Sequence, residues 1–237
     1  MCRKQSHDRL GVSMARNAEV IDFRQHQKQN HTYICRLLPE QDGIEMLYSN
    51  DSSDQIFSLK VLCWAVWNDG HIDGLVPWLN RIAPCRTLND PLNGHWEGYL
   101  DPTTGQILFE APSYKAEFLQ ASHQFYPKVS DDPSVIVQEI PDVIGSHALF
   151  SSDHFDSFNM REVHSWRLYN DGTVLAMSVE EDDINSTPVL PGDDCLFSVQ
   201  HRKDFQYFFQ HSIANKIKAK DPDALAAMAH LSEHTLK

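Results

Sequence analysis

Two stretches with the same turn chemistry constrain the fold of this chain more than any other feature. Residues 62–67 are aromatic and β-favouring and run into Asn68-Asp69-Gly70, and residues 163–169 run into Asn170-Asp171-Gly172 in the same way. Glycine adopts a positive φ without steric cost, so Asn-Asp-Gly between β-favouring runs is typical of a β-hairpin. Antiparallel sheet is therefore predicted at both places.

The two hairpins also resemble each other in sequence, since residues 64–72 read WAVWNDGHI and residues 166–174 read WRLYNDGTV. One explanation is an internal repeat, with two related halves that share a cleft. The other is convergence, because this turn chemistry is common. Convergence is favoured, because the hydrophobic pattern predicts different registers for the two hairpins.

Each predicted register follows from the apolar residues that the turn brings to one face. A three-residue loop at 68–70 leaves His71 and Asp73 on the opposite, solvated face. The apolar residues that this loop gathers are Leu62, Trp64, Val66 and Ile72. A two-residue turn at Asp171-Gly172 brings four other apolar residues to one face of the second hairpin and places His164 on that face. The pairs in that set are Leu168 with Leu175 and Trp166 with Met177.

Three helices are predicted from apolar residues at helical spacing. The first spans 113–126, begins at the capping residue Ser113 and ends before Pro127. The second covers 205–217, and the third begins at Asp221-Pro222. The apolar residues are Tyr114, Phe118, Ala121 and Phe125 in the first helix, Phe205, Phe208, Phe209, Ile213 and Ile217 in the second, and Ala224, Leu225, Met228 and Leu231 in the third.

The predicted fold class is α+β, an antiparallel sheet built from β-hairpins and packed against a middle helix and two C-terminal helices. Residues 1–32 are polar apart from a short apolar patch at 18–23, and they predict a mobile tail. Residues 33–237 are expected to form a single domain. Further strand candidates are 33–38, 56–62, 95–100, 106–110, 135–140, 146–151 and 195–199.

Cysteine usage and hydropathy indicate the compartment. The five cysteines are widely spaced, odd in number and without a Cys-x-x-Cys motif, which disfavours disulfides and structural zinc. The longest apolar runs are only a few residues, so a membrane-spanning helix is excluded, and the polar N-terminus lacks the apolar core of a secretion signal. We expect a bacterial-type cytoplasmic protein that does not contact membranes.

The charge of the chain, −13 in total, is unevenly distributed. Residues 37–200 carry 26 acidic and 7 basic residues, whereas 1–36 and 201–237 are both net basic. An acidic body repels phosphate backbones, so nucleic-acid binding by the core is disfavoured. The same charge favours a protein partner with a basic surface. In the extreme case, the chain is an acidic decoy that occupies a nucleic-acid-binding surface.

The sequence contains no GxSxG, GxxxxGK[ST], HExxH or GxGxxG motif. A standard serine hydrolase, P-loop NTPase, zincin or dinucleotide enzyme is thereby disfavoured. The favoured function is a non-enzymatic binding or accessory protein that acts through protein contacts and needs no cofactor. An acidic run at 180–194 does not match a calcium loop and predicts a solvated loop.

The alternative function is a metal-assisted hydrolase. Imidazole and carboxylate groups together suit a divalent transition metal, and they are concentrated between residues 147 and 164. The candidate metal ligands are His147, His154, Asp156 and His164. For this site to exist, these four side chains must converge.

A second set of candidates is assigned to ligand binding. Asp73 could orient His71 for acid–base work, and Trp78, Trp96 and Tyr99 could line an apolar pocket. Cys85 beside a cation, with His95 as base, is a weaker candidate pair because no third group orients them.

Overall fold

The computed structural model describes residues 32–50, 55–90, 94–123, 132–151, 158–179 and 195–210. Contacts divide the chain into Met1–His31 and Thr32–Lys237, and every described residue belongs to the second unit. The predicted tail, the acidic loop at 180–194 and the helix after Asp221 lie outside the described residues.

Strands dominate the described residues. The N-terminal part contains β1 (Ile34–Pro39), β2 (Glu45–Asn50), β3 (Gln55–Lys60), β4 (Cys63–Trp67), β5 (Ile72–Trp78), β6 (Arg81–Pro84), β7 (Asn89–Asp90), β8 (Gly94–Leu100), β9 (Ile107–Leu108) and α1 (Ser113–His123). The C-terminal part contains β10 (Ile136–Pro141), β11 (Ser146–Ser151), β12 (Phe158–Glu162), β13 (Ser165–Tyr169), β14 (Val174–Val179), β15 (Leu196–Ser198) and β16 (Phe205–Gln210).

These strands form four small antiparallel sheets arranged in a propeller-like ring. Sheet A has the order β1-β4-β5-β6, and sheet B has the order β3-β2-β8-β7 with β9 beside β8. Sheet C has the order β10-β13-β14-β15, and sheet D has the order β12-β11-β16. Two 3₁₀ turns, Cys85–Thr87 and Val199–His201, follow β6 and β15.

The predicted α+β class is wrong. Strands make up 56% of the described residues and helices 12%, with α1 as the one α-helix among them. The middle helix is confirmed at Ser113–His123, but the start of the first C-terminal helix is strand β16, paired with β11. Aromatic residues are frequent in strands, and β16 is buried over its last four residues, so the apolar spacing there reflects burial on both faces.

The two Asn-Asp-Gly hairpins have the same register. Val66 pairs with Ile72 around the predicted three-residue loop, which is confirmed. Leu168 pairs with Val174 around an equivalent loop, so the predicted two-residue turn is wrong. Leu175 and Met177 are buried on the opposite face of β14 from the residues that fill the core. With both faces buried, the hydrophobic pattern cannot choose the register.

The correspondence extends over both parts of the chain at a spacing of 102 residues. Strand β1 pairs with β4, and β10 with β13, at equivalent positions and with a bulge at the same place. The β2–β3 and β11–β12 pairs also share one register. Strands β8 and β16 pair with β2 and β11 around matching bulges, at a spacing of 109. The difference in register on which convergence was favoured is therefore wrong, and we describe an N-terminal repeat (32–123) and a C-terminal repeat (132–210).

The core of each repeat contains a tryptophan that donates to a carboxylate from the same place in the fold. Trp64 Nε1 donates to Glu40 Oε2 at 2.5 Å, and Trp166 Nε1 donates to Asp142 Oδ1 at 2.9 Å. One apolar cluster lies wholly in the N-terminal repeat, and the other contains residues of both repeats. The repeats are therefore packed against each other through a shared core.

The equivalent glycines of the two hairpin loops give a matched test of this packing. Gly70 and Gly172 have φ of 87° and 88°, but a Cβ on Gly70 would meet nothing, whereas one on Gly172 would lie 2.7 Å from Tyr33 Cβ. Gly70→Ala should cost about 1 kcal/mol of unfolding free energy, from the positive φ alone. Gly172→Ala should cost at least about 1 kcal/mol more. Urea denaturation measures both, and equal costs would contradict the packing of this loop on Tyr33.

Among the described residues, no helix is long and apolar enough to cross a membrane.

Candidate binding surface on the N-terminal repeat

A buried polar cluster surrounds Asp73 on strand β5. The carboxylate is 1% exposed and accepts hydrogen bonds from the Tyr99 hydroxyl and from the backbone N–H groups of Gly74, at 2.9 Å, and Arg86, at 3.2 Å. Arg86 Nε lies 3.7 Å from Asp73 Oδ1. Asp73 therefore joins β5, the 3₁₀ turn after β6 and strand β8, and the expectation that it faces solvent is wrong.

Burial controls the ionisation of this cluster. It raises the pKa of Asp73 above the usual range, although the hydrogen bond from Tyr99 and the nearby Arg86 act in the opposite direction. Burial also raises the pKa values of the Cys85 thiol and the Tyr99 hydroxyl. The thiol and hydroxyl therefore stay protonated at neutral pH, and Tyr99 remains a hydrogen-bond donor to Asp73.

Gly74 makes the cluster possible. A Cβ at this position would lie 3.0 Å from the Tyr99 hydroxyl and 3.1 Å from Val61 Cγ1, so a side chain would push the tyrosine away. The Tyr99 hydroxyl also accepts from Gly74 N at 2.9 Å.

The C-terminal repeat lacks this cluster. The strand registers show which residues of the C-terminal repeat are equivalent. Leu175 corresponds to Asp73, Gln200 to Arg86 and Phe208 to Tyr99, so none of the three is charged. The N–H of Ala176, which corresponds to Gly74, donates instead to Gln200 Oε1 at 2.9 Å. The two repeats thus satisfy one backbone donor in different ways, and only the N-terminal repeat uses charged groups.

Aromatic contacts lead from the polar cluster to the surface. The Arg86 guanidinium lies 5.7 Å from the centre of the Trp96 ring, which contacts Tyr99 edge-to-face at 5.4 Å. Trp96 in turn contacts Phe109 at 6.2 Å. Gly98 allows Ile107 and Phe109 to pack closely against β8, since a Cβ at Gly98 would lie 2.6 Å from Ile107 Cγ2 and 3.6 Å from Phe109 Cε1. Phe109 is therefore supported from below although it is 64% exposed.

Helix α1 is held by a buried ion pair. Lys115 is 4% exposed, and its ammonium contacts the Glu40 carboxylate and lies 2.8 Å from Asp42 Oδ2. Asp42 also accepts from the Tyr114 hydroxyl at 2.6 Å, and these two donors lower the pKa of Asp42. Because Lys115 and Leu119 face inward, the apolar stripe predicted for this helix faces solvent.

Together these elements present four exposed apolar side chains, which we call the aromatic surface. They are Ile107, Phe109, Tyr114 and Phe118, between 50% and 64% exposed. At about 200 Å² per large side chain, the four side chains together expose roughly 450 Å². Acids flank it: residues 94–123 contain four acidic residues and one lysine, the buried Lys115. The acids are Glu97, Asp101, Glu110 and Glu117.

The residues assigned to ligand binding divide into two groups. Asp73 and Trp96 both contact Tyr99 and Arg86, so they belong to the support of the aromatic surface. His71 is exposed beside Trp67, with ring centres 5.2 Å apart. Trp78 packs against Tyr48 at 4.9 Å. Of the weaker pair, Cys85 is fully buried and His95 lies 3.0 Å from Glu97.

The proposed metal ligands are only partly described. His147 is half-buried, with Nδ1 3.2 Å from the Gly145 carbonyl and Nε2 4.0 Å from Glu162. His164 is exposed, so its predicted place on the core face of β13 is wrong. His154 and Asp156 lie outside the described residues. The described residues contain no group of three His, Cys, Asp or Glu that could hold a metal, and the four-residue site stays a prediction.

A cleft of about 310 Å³ lies where the two repeats meet. Its lining residues are Glu40, Gln41, Gly43, Lys60, Val61, Val143 and Ile144. Both Glu40 oxygens already accept hydrogen bonds, Oε1 from Asp42 N and Oε2 from Trp64 and Lys115. The Glu40 carboxylate in this cleft therefore has a structural role.

Several residues of the aromatic surface and its support were not identified from the sequence as functional. Lys115 was missed, and Tyr99 and Arg86 were named only as a pocket residue and as the cation beside Cys85, because the roles of all three depend on contacts between distant strands. The sequence only weakly indicates that Phe109 and Phe118 are exposed, since large apolar residues next to acidic ones also occur in a buried core. Comparisons with protein-family models, curated proteins and solved structures found no match for this chain.

Proposed function

We propose that this protein is a non-enzymatic binding protein that acts through protein contacts, and that the aromatic surface of its N-terminal repeat is the contact site. The observation that carries the proposal is the outward-facing apolar stripe of α1 beside Phe109. The stripe faces outward because a buried Lys115–Glu40 pair fixes the orientation of the helix. Aromatic residues are enriched in protein interfaces relative to the rest of the surface.

The buried cluster supports this function as a scaffold. Asp73, Cys85 and Tyr99 are each at most 1% exposed, so a substrate would not reach their reactive atoms. Their contacts hold Arg86 and Trp96, and the Trp96 ring contacts the exposed Phe109. The cysteines at 35, 63, 85 and 195 are free thiols, which is compatible with a reducing compartment, and we propose a cytoplasmic location.

Differential capture tests the proposal. Phe109→Ser with Phe118→Ser should abolish retention of the proteins that the wild type captures from a cell extract, while changing the unfolding free energy by less than about 0.5 kcal/mol, because both side chains are exposed. The matched control is Ile136→Ser, since Ile136 is 44% exposed but lies on the C-terminal repeat. Quantitative mass spectrometry of the captured proteins is the measurement. Equal retention by the double variant and the control would contradict the proposed site.

A further inference from the structure

We propose that the partner segment bound by the aromatic surface is a basic amphipathic helix, with apolar side chains on one face and lysine or arginine beside them. This inference rests on the proposed function and names the chemistry of its partner.

Charge complementarity is the first argument. Glu110 and Glu117 are exposed next to the apolar residues, and 39% of the Glu97 side chain is exposed. The one lysine of residues 94–123 is buried against Glu40 and Asp42, so it does not offset these charges at the surface. An acidic partner would meet like charge around the apolar contacts, whereas a basic one gains attraction and faster association.

The form of the surface is the second argument. It presents large side chains, two of them on α1 one turn apart, at Tyr114 and Phe118. Ile107 and Phe109 form a second row, because both lie within 3.6 Å of the Cβ position of Gly98. Strand β9 has only two residues and offers little backbone for an added strand. Side chains in two rows fit the apolar stripe of a helix better than an extended peptide.

A synthetic peptide tests this directly. The probe is a fluorescein-labelled helix of about 18 residues, five turns, with leucine on one face and lysine on the other. A second peptide carries glutamate in place of lysine. Fluorescence anisotropy with the full chain should show binding of the lysine peptide at least about tenfold tighter than the glutamate peptide. Raising the salt from about 50 to about 500 mM should weaken binding of the lysine peptide by at least about tenfold.

Matched variants distinguish this site from general attraction to an acidic protein. Glu110→Gln with Glu117→Gln should weaken lysine-peptide binding at least about threefold, while Glu162→Gln with Asp171→Asn, which removes the same charge from exposed side chains of the C-terminal repeat, should not. Equal weakening by both pairs would overturn the inference. So would equal or tighter binding of the glutamate peptide.

The proposed binding site and the proposed basic partner can be contradicted by different results. If capture by the full chain depends on Phe109 and Phe118 but the captured segment is acidic, the surface is correct and its basic partner is wrong. If the lysine peptide binds equally well to Phe109→Ser with Phe118→Ser and to Ile136→Ser, the peptide binds elsewhere and the inference is overturned.

Discussion

Lys115→Met will lower the free energy of unfolding by about 3–5 kcal/mol, the cost of leaving a buried charge without its partner. Lys115 is 4% exposed and Glu40 is 3% exposed, so water does not replace the lost ammonium. Glu40 retains only Trp64 Nε1 and Asp42 N as donors. Urea denaturation followed by far-ultraviolet circular dichroism measures the loss.

The double variant separates the charge from the packing. Glu40→Gln with Lys115→Met removes both charges and should recover at least half of the loss, because a neutral amide still accepts from Trp64. Lys60→Met is the matched control, since Lys60 is exposed and its removal should change the unfolding free energy by less than about 0.5 kcal/mol. A Lys115→Met loss as small as that of Lys60→Met would show that α1 is not anchored by this pair.

Asp73→Leu will lower the free energy of unfolding by about 2–4 kcal/mol, because it removes the acceptor of the Tyr99 hydroxyl and of the Arg86 N–H and leaves the Gly74 N–H with the Tyr99 hydroxyl alone. The C-terminal repeat shows how the cost can be reduced. Adding Arg86→Gln and Tyr99→Phe copies the residues found there and supplies a glutamine acceptor for the Gly74 N–H, as Gln200 does for Ala176. The triple variant should therefore be more stable than Asp73→Leu alone. A triple variant less stable than the single one would contradict the equivalence of the repeats.

Asp73 should make the unfolding free energy fall as the pH rises. Its pKa in the folded protein is raised above the unfolded value of about 3.9. The stability that its protonated form contributes is therefore complete below about pH 3.9 and is lost as the pH rises through the folded pKa. The wild type should lose stability relative to Asp73→Leu between about pH 4 and neutral pH. Urea denaturation at several pH values measures this difference, and a change of opposite sign would show that the carboxylate is more stable charged in the fold.

The two hairpins were predictable because Asn-Asp-Gly imposes its own backbone geometry. The register at 68–70 was predictable too, since Trp64, Val66 and Ile72 enter one apolar cluster. The register at 170–172 was not, because Leu175 and Met177 are also buried. Periodicity identifies a buried face only when the other face is polar.

Strand β16 shows the same limit, because its apolar spacing fits a helix as well as a strand buried on both faces. In the aromatic surface, by contrast, an apolar face is exposed. The apolar stripe of α1 is visible in the sequence, but the sequence does not show that Lys115 takes the inward position. That choice depends on Glu40, which lies 75 residues away and is fixed by its contact with Trp64.

Asp73 and Trp96 were identified from the sequence as candidates for ligand binding, and the structure connects them through Tyr99 and Arg86. Their predicted neighbours His71 and Trp78 lie apart from them. The distinction between the repeats carries more functional information than any single motif. Two units with one register differ at the positions of Asp73, Arg86 and Tyr99, and only the repeat with these residues displays the aromatic surface within the described part of the chain.

Amide hydrogen exchange on the full chain, with and without a captured partner, locates the binding site. We expect protection on binding to be concentrated between Ile107 and Leu119, the segment that carries the aromatic surface. Strands β12 and β13 of the C-terminal repeat should exchange at unchanged rates. Protection confined to the C-terminal repeat, with residues 107–119 unchanged, would contradict the assignment of the binding site.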